Sequence, residues 1–347
     1  MTDAAAFVNK LTESRRLLID ARSEKEFLHA HIPGAINIPL LNNEHRHLIG
    51  IEYKQKGREA AVILGFKLAG PLFHSYIEKA KSLTNEREIL IYCWRGGMRS
   101  GIMAWLMEMA GFRVSLLKGG YKAFRNFVLS QFSVNRKIVI VGGNTGSGKT
   151  EALKELASLG EQVIDLEALA HHRGSAFGSL GLPPQPSTEQ FENYLGLQWY
   201  CTDPDRIVWV EGESRSIGRI KIPDELFDQL QSAPLLEIIC TRYERMRRIL
   251  NDYGDFPKED LATCTKRLQK KLGHLRMTLA LEALKEGRMK DWINILLDYY
   301  DLNYQYSLSL RNSSVRQEVF KQEKENNAVL AQRLIQAAKN LNTTIDA

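Results

Sequence analysis

Short apolar runs recur along the chain, and most are followed by a stretch with helical spacing. In the first 130 residues Leu17-Leu18-Ile19-Asp20, Ala35-Ile36-Asn37-Ile38, Ile89 to Tyr92 and Val114 to Leu117 read as strands, with helical patterns such as Ile102 to Ala110 between them. Alternation of this kind implies a parallel α/β sheet. Residues Phe132 to Lys137 read as a junction. A strand then starts at Ile138, a helix runs from Glu151 to Leu159 and stops at Gly160, and "EQVIDLE", Asp205 to Glu213 and Pro234 to Thr241 are further strands. "GLPPQP" (Gly181 to Pro186) is a loop, and beyond Arg242 the pattern is long, helical and polar. No internal repeat or low-complexity tract interrupts it. The fold class expected is therefore α/β, with one parallel-sheet domain over 1–132. A second α/β core follows over 133–240, with a mainly helical extension of it over 241–347.

Composition narrows the setting. The 347 residues suit about two domains, with the apolar and charged fractions of an ordinary soluble protein. No run of about 20 apolar residues suggests a membrane span, and Met1-Thr2-Asp3-Ala4 does not open a secretory signal. The four cysteines, Cys93, Cys201, Cys240 and Cys264, lack C-x-x-C spacing, so free thiols in a reducing cytoplasm are expected. The net charge of +6 is unevenly placed. Residues 1–132 carry 19 Lys and Arg against 12 Asp and Glu, whereas 133–347 carry 28 against 29. Within the second part, Arg242 to Arg276 holds 10 basic and 5 acidic residues. Such clustering suits a polyanionic partner, and equally a solvated surface.

Two motifs carry chemistry. "GNTGSGKT" comprises Gly143, Asn144, Thr145, Gly146, Ser147, Gly148, Lys149 and Thr150. It fits G-x-x-x-x-G-K-[ST] between a strand and a helix, the P-loop arrangement in which backbone amides and a helix N-terminus cradle phosphate. Lys149 is expected to reach a terminal phosphate and Thr150 to ligate Mg²⁺, with no metal ligand certain. Asp165, Glu211 and Glu213 stand at strand ends as candidate acidic partners, each equally suited to capping the next helix. Arg215 and Arg219 are candidate clamps or surface charge.

The second motif is "YCWRGGMRS". Cys93 ends an apolar strand, and Trp94, Arg95, Gly96, Gly97 and Met98 separate it from Arg99, just before a helix. A loop of this length wraps into a cup whose amides, with Arg95 and Arg99, favour an anion. A thiol inside is expected to be activated as a nucleophile. The other reading, a buried strand-end cysteine, leaves the glycines and arginines unexplained.

"LLIDARSEKEFLHAHIPGAINIP", "YCWRGGMRS" and "GFRVSLLKGGY" resemble the opening, active loop and closing signature of a rhodanese domain. Joined to "GGNTGSGKT" and "DLEALAHHRGSAFG", the whole is similar to the bacterial tRNA 2-selenouridine synthase family. That resemblance implies a transferase acting on the wobble uridine of tRNA. It implies replacement of sulfur in 2-thiouridine by selenium from selenophosphate, by way of S-geranylation from geranyl diphosphate. It makes Cys93 the residue essential to selenium transfer and the P-loop a site for a phosphate-bearing donor. It implies no tightly bound cofactor; an enzyme supplying selenophosphate is a possible partner.

The loop departs from the usual rhodanese spacing, holding five residues between cysteine and arginine, as in dual-specificity phosphatases. A phosphatase fused to a P-loop kinase is therefore the alternative, although Tyr92 replaces the histidine such phosphatases carry before the cysteine. A non-catalytic nucleotide-sensing RNA binder is the third reading. The stretch Leu40 to Glu88 is long for a lone rhodanese domain; its basic part, with His45 and His47, is a candidate tRNA contact. Further candidates are Arg242, Arg245, Arg248, Lys266, Arg267, Lys270 and Lys271 on helical patterns, and Trp94 as a stacking platform, against solvated faces and core packing. Oligomeric state is not readable.

Overall fold

The computed structural model describes residues 1–311, 315–321 and 326–345. They form two compact units, the first comprising Met1–Gln131 with Ser187–Cys201, the second Phe132–Pro186 with Thr202–Ala347.

The first unit is built on a four-stranded sheet of β1 (Leu17–Asp20), β2 (Ile36–Asn37), β3 (Glu88–Tyr92) and β4 (Arg113–Leu116), in the order β2-β1-β3-β4. All pairs are parallel. β1 and β3 are buried on both faces, which is why they read as unbroken apolar runs. The helices Met98–Met109 and Phe73–Leu83 supply Met103, Met107, Tyr76 and Ala80 to the core on one face. Leu40 to Glu88 folds as a helical insertion. Asn42 caps the helix Asn43–Ala69 by accepting from His45 N at 2.7 Å. Gly57, at φ 84°, breaks that helix in two.

One element of this unit comes from far along the chain. The helix Thr188–Tyr200 lies against the helix Gly120–Gln131. Its fully buried Asn193 donates to the Tyr121 hydroxyl (2.8 Å) and to the His31 carbonyl (2.9 Å). Arg125 donates back to Asn193 Oδ1 (2.8 Å), and Gln190 accepts from His31 N (2.7 Å). The sequence pattern places 188–200 in the second domain. Its buried Phe191, Leu195 and Trp199 recur at helical spacing, but an apolar stripe says only that a helix docks, not on which domain.

The second unit holds a five-stranded sheet, β11-β10-β5-β7-β6. These are β5 (Lys137–Gly142), β6 (Gln162–Ile164), β7 (Ile207–Glu211), β10 (Leu235–Ile239) and β11 (Arg316–Phe320), all parallel. β8 (Ser216–Ile217) and β9 (Ile220–Lys221) form a small antiparallel hairpin. β11 is a strand within the C-terminal region that the sequence pattern reads as mainly helical. Only Val319 of this edge strand is buried, so no apolar run announces it. Instead its Arg316 pairs with the buried Glu237 of β10. The helices Lys258–Lys266, His274–Lys285 and Met289–Ser309 pack around Trp292, whose indole N–H donates to Thr265 at 3.1 Å.

Candidate functional site

Cys93 follows the last residue of β3, and backbone hydrogen bonds tie its loop to the start of the helix Gly120–Gln131. Tyr121 N donates to the Cys93 carbonyl (2.8 Å) and Lys122 N to that of Trp94 (3.1 Å). The approach is so close that a Cβ on Gly120, itself at φ 61°, would lie 2.3 Å from Cys93 O and 2.4 Å from Gly96 N. The second glycine of "KGGY" is thus a requirement of the loop it faces, which starts 27 residues earlier.

The sulfur lies on the floor of the loop. Cys93 is 3 % exposed, and its Sγ is 3.0 Å from Ser100 Oγ, which in turn donates to Gly97 O at 3.2 Å. A thiol so placed reacts only with a group that enters the loop, or when the loop opens. Trp94 and Met98 are exposed, Trp94 with its ring 5.7 Å from that of Tyr121. Arg95 is exposed as well.

Arg99 departs from expectation. Its guanidinium turns to Glu26, Nη1 to Oε2 at 2.7 Å and Nη2 to Oε1 at 3.3 Å, so its charge is spent there rather than on the sulfur. Burial pushes the Glu26 carboxyl up, but the hydrogen bond and charge of Arg99 outweigh it, and the group is held below its usual range. Arg22 lies buried nearby, paired with Asp20 at 2.6 Å and stacked 4.0 Å from the centre of the Tyr121 ring. Nothing in the local sequence marks that role.

In the second unit, Gly143, Gly146 and Gly148 adopt φ of 138°, 79° and 96°, the conformations the phosphate-loop motif needs glycine for. Gly148 caps the helix Lys149–Ser158. Lys149 Nζ donates to Gly143 O (3.1 Å) and stands 3.8 Å from Glu211 Oε1. Gly143 N donates to the hydroxyl of Tyr304 (2.7 Å), which enters from the long helix Met289–Ser309. Three polar atoms here, Asn144 Oδ1, Ser147 Oγ and Glu211 Oε2, are buried without a hydrogen-bond partner among the described residues, as suits groups that await a ligand. Thr150 and Lys149 open on a cavity of about 540 Å³.

The carboxylates sort themselves by topology. β7 lies beside β5 with Glu211 opposite Val141, so Glu211 arrives at the phosphate loop by sheet register. Glu213 and Glu167 join it, and one oxygen of each lies within 4.8 Å of the others. Burial, then repulsion from Glu167, pushes Glu211 up to about 8. Burial, then repulsion from Glu213, raises Glu167, and burial, then repulsion from Glu211, raises Glu213. Glu167 is absent from the sequence candidates, because only the fold brings its helix, Leu166–Ala170, to the end of β7. It is the glutamate of "DLE", just past β6, and its acid type beside the strand-end Asp165 was the signal available. A Cβ on Gly174 would lie 2.8 Å from Glu213 Oε2. A trio of acids with an unpartnered buried oxygen fits a divalent cation.

Other candidates fall elsewhere. Asp165 caps the helix Leu166–Ala170, accepting from Ala168 N at 2.9 Å. Arg215 pairs with Asp224 on an exposed surface, and Arg219 bonds to Gln185. Neither lines the phosphate cavity. Arg245 is buried, donating to Thr145 O (2.8 Å) and pairing with Asp301. Arg248 donates to Gly146 O and lines the cavity. Arg242 pairs with Asp298 at 2.7 Å. These arginines brace the phosphate loop or a neighbouring helix rather than forming one open basic face. Lys266, Arg267, Lys270 and Lys271 are exposed, and Arg267 and Lys271 also line the cavity. Cys201 is exposed, Cys240 half-buried and Cys264 buried, all unbridged.

The fold thus joins a rhodanese-type unit, with a cysteine in its loop, to a P-loop unit with an acidic trio. Residues 3–127 match the rhodanese-like domain, and residues 136–337 match the tRNA 2-selenouridine synthase AAA domain. The chain belongs to the tRNA 2-selenouridine synthase family. It is 37 % identical over 334 residues to the tRNA 2-selenouridine synthase of Sulfurovum sp. (strain NBC37-1), covering 86 % of this chain and 90 % of that one. It is 37 % identical over 347 residues to that of Bdellovibrio bacteriovorus, with the same coverage of each chain. The corresponding protein of Shewanella denitrificans is 34 % identical over 336 residues.

Proposed function

We propose that the protein converts 2-thiouridine at the wobble position of tRNA to 2-selenouridine, by way of an S-geranyl intermediate. The observation that carries the reading is family membership along nearly the whole chain, with both loops intact. Chemistry favours two stages, because a thiocarbonyl sulfur leaves poorly and an alkylated sulfur leaves as a thiol. In the first, the thiouridine sulfur attacks C1 of geranyl diphosphate. The C–S bond forms, the C–O bond breaks, diphosphate departs with the electron pair, and N3 gives up its proton. In the second, the selenium of selenophosphate attacks C2 and geranylthiol leaves. Water then cleaves the P–Se bond to release phosphate.

In this reading Cys93 serves the selenium stage and the P-loop binds the phosphoryl end of a donor through its amides and Lys149. Glu167, Glu211 and Glu213 would hold Mg²⁺, which when bound offsets phosphate charge. Exposed cations such as Lys266, Lys270 and Lys271 supply a surface for the tRNA backbone.

The test is mass spectrometry of tRNA nucleosides after incubation with selenophosphate and geranyl diphosphate. Wild type yields 2-selenouridine and a trace of the S-geranyl form. Cys93→Ala loses the selenium product, and Lys149→Ala lowers it at least tenfold. Retention of full selenation in Cys93→Ala removes the thiol from the reaction. The phosphatase alternative has against it the turning of Arg99 towards Glu26, and rapid hydrolysis of p-nitrophenyl phosphate would revive it.

A further inference from the structure

The helical insertion of the first unit borders an open cavity of about 840 Å³ that neither loop described above accounts for. Its volume is that of a small-molecule site, and it is concave rather than a flat apolar face. Ile49, Val62, Phe66 and Phe73 of the insertion line it, with Met98 and Ile102 from the helix that begins at the end of the cysteine loop. The cavity is therefore largely apolar, and Met98 and Arg99 at the far end of the cysteine loop border it.

Four cations also line it. Arg46, Lys54, Arg58 and Arg99 all contribute, and no aspartate or glutamate does. Lys54 and Arg58 are exposed and make no ion pair among the described residues. Arg46 and Arg99 share a single carboxylate, Glu26, at 3.4 Å and 2.7 Å. The walls thus carry unneutralised positive charge beside an oily interior. A flexible acyclic chain with a compact polyanion at one end matches both parts. A tRNA backbone matches only the charge, and a bilayer does not need a cavity.

We infer that this cavity holds the acyclic prenyl chain of geranyl diphosphate, with the diphosphate on Lys54, Arg58 and the exposed Arg46. The prenyl donor then occupies the first unit and the phosphate loop of the second is left to selenophosphate. The inference rests on the reaction proposed above and adds where its first donor binds.

The unreactive analogue geranyl thiolodiphosphate tests it by equilibrium dialysis with the full chain. Wild type binds it about tenfold or more tighter than the dimethylallyl analogue, whose chain is one isoprene unit shorter. Val62→Trp, which fills the cavity, weakens binding at least tenfold. The exposed double variant Lys54→Glu/Arg58→Glu does the same and is safe for folding. Lys149→Ala binds as wild type does. Undiminished binding in both first-unit variants, with loss in Lys149→Ala, overturns the inference and moves the prenyl donor to the P-loop. No binding of the analogue, with Lys54- and Arg58-dependent sedimentation on phosphatidylglycerol vesicles, overturns it in favour of a lipid surface. The reaction itself is judged separately. Full selenation without geranyl diphosphate, and with no S-geranyl nucleoside, removes the intermediate wherever the analogue binds.

Discussion

Glu26 is the residue on which the cysteine loop leans, since it takes Arg99 at the loop's far end and Arg46 of the insertion together. Its carboxyl is held below the ordinary 4.5. The folded state therefore favours the ionised form, and the stability this confers is whole above pH 4.5. It is lost as pH falls through the lower folded-state value. Glu26→Gln should cost about 1–3 kcal/mol at neutral pH, as for a lost charged hydrogen bond. Thermal melts should show the gap between wild type and variant closing as pH drops below 4.5. A gap that stays constant down to acid unfolding would mean that the pair contributes nothing through charge. At this scale much was legible. Cys93, its glycines and the whole phosphate loop are local motifs whose residue types follow from one requirement each. The direction of Arg99 was not, because its partner lies 73 residues away and no spacing encodes it.

Elements bring together what motifs leave apart. β7 places Glu211 beside the phosphate loop by register, and the helix after β6 brings Glu167 to meet it. Raised carboxyls oppose folding as they ionise, so in a chelating buffer stability should fall as pH rises from 4.5 through about 8 and then level off. Glu211→Gln should flatten that fall. Mg²⁺ at about 100 times its dissociation constant should add about 2.7 kcal/mol to wild type, and clearly less to the variant. Equal gains in differential scanning fluorimetry would show that the trio does not hold the cation. The sequence offered Glu211 and Glu213 as strand-end acids but also Asp165, which proves to be a helix cap; only the strand order separates them. β11 escaped notice for a related reason. An edge strand with one buried residue has no apolar run to betray it.

At the scale of the molecule, the first unit is discontinuous, taking its last helix from residues 187–201. A chain ending at Gln131 leaves the buried Tyr121 hydroxyl and the His31 carbonyl without Asn193. It should melt well below the same chain with 187–201 joined by a flexible linker, as circular dichroism would measure; equal melting would assign the helix no part in that unit's stability. The same feature governs biosynthesis. A ribosome adds roughly 5–20 residues per second, so about 70 residues must follow Gln131 before the missing helix is made. For several seconds the nascent N-terminal part waits unfinished, its polar pocket for Asn193 open to solvent. Its earliest window for chaperone capture is thus written into the order of the gene.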